Sequence, residues 1–226
     1  MTDRPIIFSA PMVRAILEGR KTQTRRVLKL PHNNPLGVWE ATTVGGPGVY
    51  TGDGQRYPER AAIWHTRTGT TIAPAFAVGD RLWVREAWRT SASIDDTPPR
   101  DMFPRLRPVS YEADYTSEPN DGCRGRLRPS IHMPRWASRI TLEVTAVKIE
   151  RLQDISAEDA VAEGVTIREK SGDFWVPGIE HPNKDFPYLS RSTPREMFAA
   201  LWDTVNGSGA WGANPWVVAI TFERAD

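Results

Sequence analysis

An alternation that holds from Arg139 to Ile149 limits what this chain can fold into more than any other feature. Ile140, Leu142, Val144, Ala146 and either Val147 or Ile149 mark one apolar face, the period-two signature of a half-buried strand. Shorter strand signals lie at Pro5–Phe8, Arg81–Trp88, Val109–Tyr111 and Trp216–Phe222. Three helices are punctuated clearly. Ser9 caps the first, Pro11 sits in its first turn, Met12, Val13, Ile16 and Leu17 form its apolar face, and Gly19 stops it. Ser156-Ala157-Glu158-Asp159 resembles a capping box and opens a short helix that Gly164 ends. Thr193-Pro194-Arg195-Glu196 opens a third helix with Phe198, Leu201, Trp202 and Val205 on one stripe, and Asn206-Gly207 closes it. Pro- and Gly-rich stretches at about 31–78, 90–130 and 168–192 interrupt these elements, the first with room for a short hairpin. The order β-α-loop-β-loop-β-α-loop-α-β lacks the regular βαβ alternation of a parallel sheet. It predicts an α+β fold: a small mixed or closed β-barrel with two to three peripheral helices and long loop insertions, spanning 1–226 as a single domain.

With 226 residues the chain is long enough to bury roughly 70% of its extended surface. Its 39% hydrophobic and 25% charged residues read as soluble and globular. No segment reaches the roughly 20 apolar residues of a membrane span, and the apolar run after the N-terminus is too short for a signal sequence. The lone Cys123 excludes an internal disulfide and fits a reducing compartment, so the expected location is cytoplasmic, with no membrane partner. The net charge is only +1, but it is segregated. Residues 14–29 carry six basic groups against Glu18, residues 120–140 carry five arginines against Asp121, and 151–226 carry seven basic and twelve acidic residues. Arginine outnumbers lysine 24 to 5, which suits planar recognition of phosphates and base edges and also follows from a GC-rich genome.

Several motif-like features carry no chemistry. Gly207-Ser208-Gly209-Ala210-Trp211-Gly212 matches G-x-G-x-x-G, but a helix precedes it and a strand follows, the reverse of a dinucleotide fingerprint. His32, His65, His132 and His181 have no metal-ligand spacing, so neither a metal nor a cofactor is expected. Cys123 has no histidine paired with it, and no G-x-S-x-G elbow exists. Of nine tryptophans, Trp83, Trp202 and Trp216 fit buried stripes. Trp64, Trp88, Trp136 and Trp211 sit beside Arg or Gly, in contexts that suit either packing or stacking on a base.

One constellation survives. Gly19-Arg20-Lys21-Thr22-Gln23-Thr24-Arg25-Arg26 places an amine, two hydroxyls and guanidinium groups directly after the first helix. Read as a turn, it brings Lys21 and Thr24 close enough for amine and hydroxyl to meet, the logic of a lysine-activated nucleophile. Glu163, at the C-terminal end of the second helix, faces the negative end of the dipole, which favours its protonated form and a proton-donor role. The same dipole logic opposes a neutral Lys21, so burial has to override it.

The run resembles the G-R-K-T-x-T-x-R signature of ASCH-family proteins, which have a PUA-like β-barrel fold. Gly79-Asp80-Arg81-Leu82 resembles that family's G-D-x-L, and the 139–149 strand and the Ile155–Val165 segment follow in the family's order. The resemblance covers about 1–29, 79–89, 138–165 and 216–223, and the chain as a whole is similar to members commonly encoded by phages and prophages. Compact bacterial members are amidohydrolases that remove the acetyl group of N4-acetylcytidine. The resemblance implies Lys21 as proton acceptor, Thr24 as nucleophile and Glu163 as proton donor, with Arg26 at the final Arg position. Arg25, Thr22, His132, Trp136 and Trp88 complete the expected substrate-binding set. The chain is about twice the length of those enzymes, and its insertions have no counterpart there.

Three functions are therefore in view. One is a hydrolase acting on a small modified nucleoside. The others are a non-catalytic RNA-binding module and a ribonuclease, with RNA or single-stranded nucleic acid as partner through the Arg clusters.

Overall fold

The computed structural model describes residues 3–102, 109–115, 124–181, 183–185 and 188–225. Cys123 and part of the 90–130 insertion lie outside them. The strands are β1 (Asp3–Ile7), β2 (Gln23–Val27), β3 (Trp39–Val44), β4 (Arg60–His65), β5 (Thr71–Ile72), β6 (Arg81–Arg85), β7 (Trp88–Arg89), β8 (Ser110–Tyr111), β9 (Thr141–Arg151), β10 (Thr166–Ile167), β11 (Phe174–Trp175), β12 (Ser190–Arg191) and β13 (Trp216–Ala225). The α-helices are α1 (Ala10–Leu17), α2 (Ala157–Ala162) and α3 (Pro194–Asn206), with short 3-10 turns between elements.

The fold is mixed α+β. Its main sheet has the order β1-β6-β9-β13-β2. The long alternating segment is the central strand β9, paired antiparallel with β6 and β13. β13 then pairs antiparallel with β2, whereas β1 lies parallel to β6. Among the described residues this sheet is open, with β1 and β2 at its two ends, and no closed barrel forms. The segment joining those ends is the single helix α1, so the edges of the sheet are neighbours in sequence.

Two apolar clusters sandwich β13, which explains why it reads as a nearly continuous apolar run. Val218, Ile220 and Phe222 join Leu82, Val84, Leu142 and Val144 under α1, where Val13 and Ile16 pack. Val217 joins a second cluster with α3 (Met197, Phe198, Leu201, Trp202) and α2 (Ala160). Both N-caps form: Ser156 accepts from the Asp159 N–H and Thr193 from the Glu196 N–H. Ser9 is the N-cap of α1 but makes no side-chain cap bond.

The insertions contain more order than their composition suggests. Residues 31–78 hold the three-stranded sheet β3-β4-β5, whose β3–β4 pair is the expected hairpin. The 168–192 stretch contributes β11 and β12 of a three-stranded sheet with β10. The predicted strand Arg81–Trp88 divides, because the chain leaves the main sheet after Arg85 and Trp88 pairs with Tyr111 instead. The Gly-rich run after α3 is a turn leading into β13. Among the described residues no helix is long and apolar enough to cross a membrane.

Candidate functional site

The Lys21–Arg26 run is only partly a turn. Gly19, at φ +73°, ends α1, and the N–H groups of Gly19, Arg20 and Lys21 fold back onto the carbonyls of Ile16 and Ala15. From Gln23 the chain is the edge strand β2, held by β13. Lys21 forms a backbone bridge with Glu163, and the Thr22 N–H donates to the Ala162 carbonyl. The end of α2 is thereby sewn to the beginning of β2. Gly164 follows at φ +103°, a conformation reserved in practice for glycine, and turns the chain away immediately after Glu163.

This stitching brings together residues 142 apart in sequence. Lys21 Nζ donates to Glu163 Oε2 at 2.7 Å and to the Glu163 carbonyl at 2.8 Å, and both residues are 4% exposed. Lys21, Thr24, Arg25, Arg26 and Glu163 all line one cavity of about 190 Å³. Its floor is this charged group, and its walls come from β1 (Ile7, with Phe8 and Ser9 beyond), Met12 of α1 and one face of α3. It occupies the gap between β1 and β2, where the sheet does not close. Arg26 spans that gap: its Nη2 donates to the Ile7 carbonyl at 2.7 Å and its guanidinium lies 5.4 Å from the Phe8 ring centroid.

Burial lowers the pKa of Lys21 below that of a free lysine. The Glu163 carboxylate opposes the shift through charge and hydrogen bond, while Arg26 and Arg25 reinforce it. This lowering is the direction that a base at this position requires. The amine–hydroxyl meeting expected from a turn is absent, because Lys21 directs its N–H bonds to Glu163 and Thr24 lies further along extended chain. A neutral amine with both N–H groups on Glu163 keeps its lone pair for another proton.

Arg25 has a different part from the one its position suggests. Its side chain is fully buried and its donors reach four acceptors. Nε and Nη2 bind Glu150 Oε1 at 3.0 and 2.7 Å, Nη2 binds Asp159 Oδ2 at 2.6 Å, and Nη1 binds Gln23 Oε1 and, at 3.3 Å, Glu163 Oε1. Five bonds use all five N–H donors of a guanidinium, so Arg25 has none left for a ligand and instead fixes the carboxylate of Glu163. Sequence reasoning missed the partners Glu150, Asp159 and Gln23. The signal for Asp159 was its capping-box position, since its side chain turns to Arg25 rather than back to the cap.

Four of the expected binding residues do not meet this cavity. Thr22 is exposed and lines a separate hollow with Ile16, Leu142 and Phe222. Trp88 is 0% exposed and packs edge-on against Trp136, 5.9 Å between centroids, in a third apolar cluster with Ile94, Met102 and Met133. Packing, not stacking on a base, claims both rings. His132 is exposed on a different groove beside Arg126 and Pro129. Three of the five arginines in 124–139 are bonded to protein acceptors as well. Arg139 pairs with Glu86 and Asp114, Arg135 with Asp3, and the buried Arg128 binds the carbonyls of Ile94 and Asp95.

Among the described residues no group of three or more His, Cys, Asp or Glu is arranged to hold a metal ion. Comparison with protein-family models, with curated proteins and with solved structures returns no match to the chain.

Proposed function

We propose that the chain is an amidohydrolase that removes an acyl group from an N4-acylated cytosine nucleoside, with Lys21, Thr24 and Glu163 as the catalytic residues. One observation carries the reading: the Lys21–Glu163 pair, 2.7 Å apart and almost wholly buried, in the floor of a cavity that Thr24 and Arg26 also line. The resemblance of the 19–26 run to the ASCH signature supplies the substrate class. The PUA-like barrel remains part of the same proposal, as the finer description of the mixed sheet, and so does a cytoplasmic location.

The chemistry closes on these residues. Lys21 takes the Thr24 hydroxyl proton through one water, and Oγ1 attacks the acyl carbon. The proton passes along the 2.7 Å bond to Glu163, which delivers it to the departing N4 as the C–N bond breaks. Water then cleaves the Thr24 ester, returning a proton to Oγ1 and releasing the carboxylic acid. The Arg26 guanidinium, whose pKa burial lowers while the Glu163 carboxylate opposes that shift, orients the acyl oxygen.

The test is incubation with N4-acetylcytidine while cytidine release is followed. Turnover lost in Thr24→Ala, Lys21→Ala and Glu163→Gln supports the proposal; no turnover, or turnover indifferent to Thr24→Ala, refutes it. The RNA-binding and ribonuclease alternatives draw on basic stripes, and Arg128, Arg135 and Arg139 of the 124–139 stripe are already bonded to protein acceptors.

A further inference from the structure

Two polar side chains at the mouth of the cavity keep hydrogen-bonding capacity that the fold does not use. Ser9 lines the cavity and is exposed, and although it is the N-cap of α1 its side chain makes no cap bond. Asn206, the last residue of α3, also lines the cavity and is exposed. Its Nδ2 donates to the Trp202 carbonyl at 3.0 Å, and because a carbonyl only accepts, this bond fixes which way the amide faces. The Asn206 side-chain oxygen is left as an acceptor with no partner among the described residues. The rest of the mouth is the exposed Ile7, Val27 and Val205 together with the partly exposed Arg26 guanidinium, whose Nη2 is held by the Ile7 carbonyl.

A cavity of about 190 Å³ is close to the roughly 150 Å³ void that holds a single benzene ring, so it takes one pyrimidine and little more. Thr24 and Glu163, 5% and 4% exposed, lie on the floor, where the N4 amide is attacked. Ring positions 4 and 1 of a pyrimidine are para to each other. With N4 on the floor, N1 therefore faces outward and its substituent reaches the mouth. Resting on the amidohydrolase reading, we infer that Asn206 and Ser9 are specificity-determining residues that bind the hydroxyl groups of a sugar on N1. The Asn206 oxygen accepts from one sugar hydroxyl, and the Ser9 hydroxyl, able to donate or accept, takes another. A neutral hydrogen bond of ~1 kcal/mol is worth about fivefold in affinity, so the two together favour nucleoside over free base by about 25-fold.

Calorimetry on the full chain compares N4-methylcytidine with 1,N4-dimethylcytosine, which lack the scissile bond and differ only in what N1 carries. Turnover of N4-acetylcytidine is measured separately. The wild type is expected to bind the nucleoside at least tenfold more tightly than the base. Asn206→Leu and Ser9→Ala each cut that ratio about fivefold, while Asn206→Asp, which keeps an acceptor oxygen, preserves it. Because Ser9 makes no cap bond, Ser9→Ala does so with the Tm unchanged. A ratio near one in the wild type, or a ratio unmoved in Asn206→Leu or in Ser9→Ala, overturns the inference. If the ratio behaves as expected but N4-acetylcytidine is not hydrolysed, the sugar contacts stand and the amidohydrolase reading falls. If N4-acetylcytidine is hydrolysed and the ratio is near one, the inference alone falls.

Discussion

Removing the Arg25 fork is the most direct probe of how this site is held. Arg25→Met keeps most of the buried volume and deletes every bond to Glu150, Asp159, Glu163 and Gln23. Deleting one partner of a buried ion pair costs ~3–5 kcal/mol, because the remaining charge stays desolvated. Here the damage is limited in known ways. Glu163 keeps Lys21, Glu150 keeps Lys148 at 2.6 Å, and Asp159, with its side chain 27% exposed, regains water. The lower end, about 3 kcal/mol, is therefore expected. For a chain of this size that is a fall in Tm of about 6–12 °C. Urea unfolding of the wild type, Arg25→Met, Glu150→Gln and the double variant measures it. Glu150→Gln in the Arg25→Met background recovers part of the loss, since the neutral amide no longer needs a cation, giving a coupling of about 1–2 kcal/mol. A loss below about 1 kcal/mol, or strict additivity in the cycle, refutes the argument that Arg25 is the electrostatic keystone of β2.

Further outcomes follow from the same geometry. The depressed pKa of Lys21 means that the unfolded chain binds its proton more readily than the native one, so native stability rises as pH climbs from the folded value towards 10.5. Urea midpoints measured across that interval show the rise in wild type and lose it in Lys21→Met; equal slopes count against a buried, easily neutralised amine. The rising limb of kcat/KM has its midpoint below 10.5 for the same reason, and a midpoint at or above that value contradicts it. Gly164→Ala meets only ordinary contacts with Ala15 and Lys21, so its cost is the backbone strain of positive φ, about 1–2 kcal/mol by thermal unfolding. Ser156→Ala removes the cap on Asp159 N–H and costs about 1 kcal/mol in the same assay.

The elements that were legible in the sequence share a simple period or a stop signal. The 139–149 alternation became β9, Ser156 and Thr193 capped their helices, and Gly19 and Gly164 ended helices at positive φ. β2 was hidden for a physical reason. Gln23, Thr24 and Arg25 are all buried, so an inward face that normally reads as apolar is polar here. Its acceptors, Glu150, Asp159 and Glu163, arrive from sequence positions more than 120 residues away. Alternation analysis has no way to see a strand whose core face is made of charges matched elsewhere. The tryptophans misled in the opposite sense. Trp88 and Trp136 sit among arginines in the sequence, but the fold turns them inward to build the cluster around Met133. Val205 shared the α3 stripe with Leu201 and Trp202 yet lies at 69% exposure, at the end of the helix where the core has run out.

The open seam between β1 and β2 has a bearing on how this protein avoids its own kind. Paired strands lie about 4.8 Å apart, and closing the seam with a ladder fills the space that the cavity occupies. The chain instead keeps two unzipped strand margins, the feature that ordinarily invites another chain to add itself and start an aggregate. A guanidinium clasp on the Ile7 carbonyl blocks one such docking position, and α3 stands across the same gap. The cavity and the defence against self-association are thus one arrangement. Substitutions at Arg26 are expected to show themselves as turbidity on heating as well as in any assay of turnover.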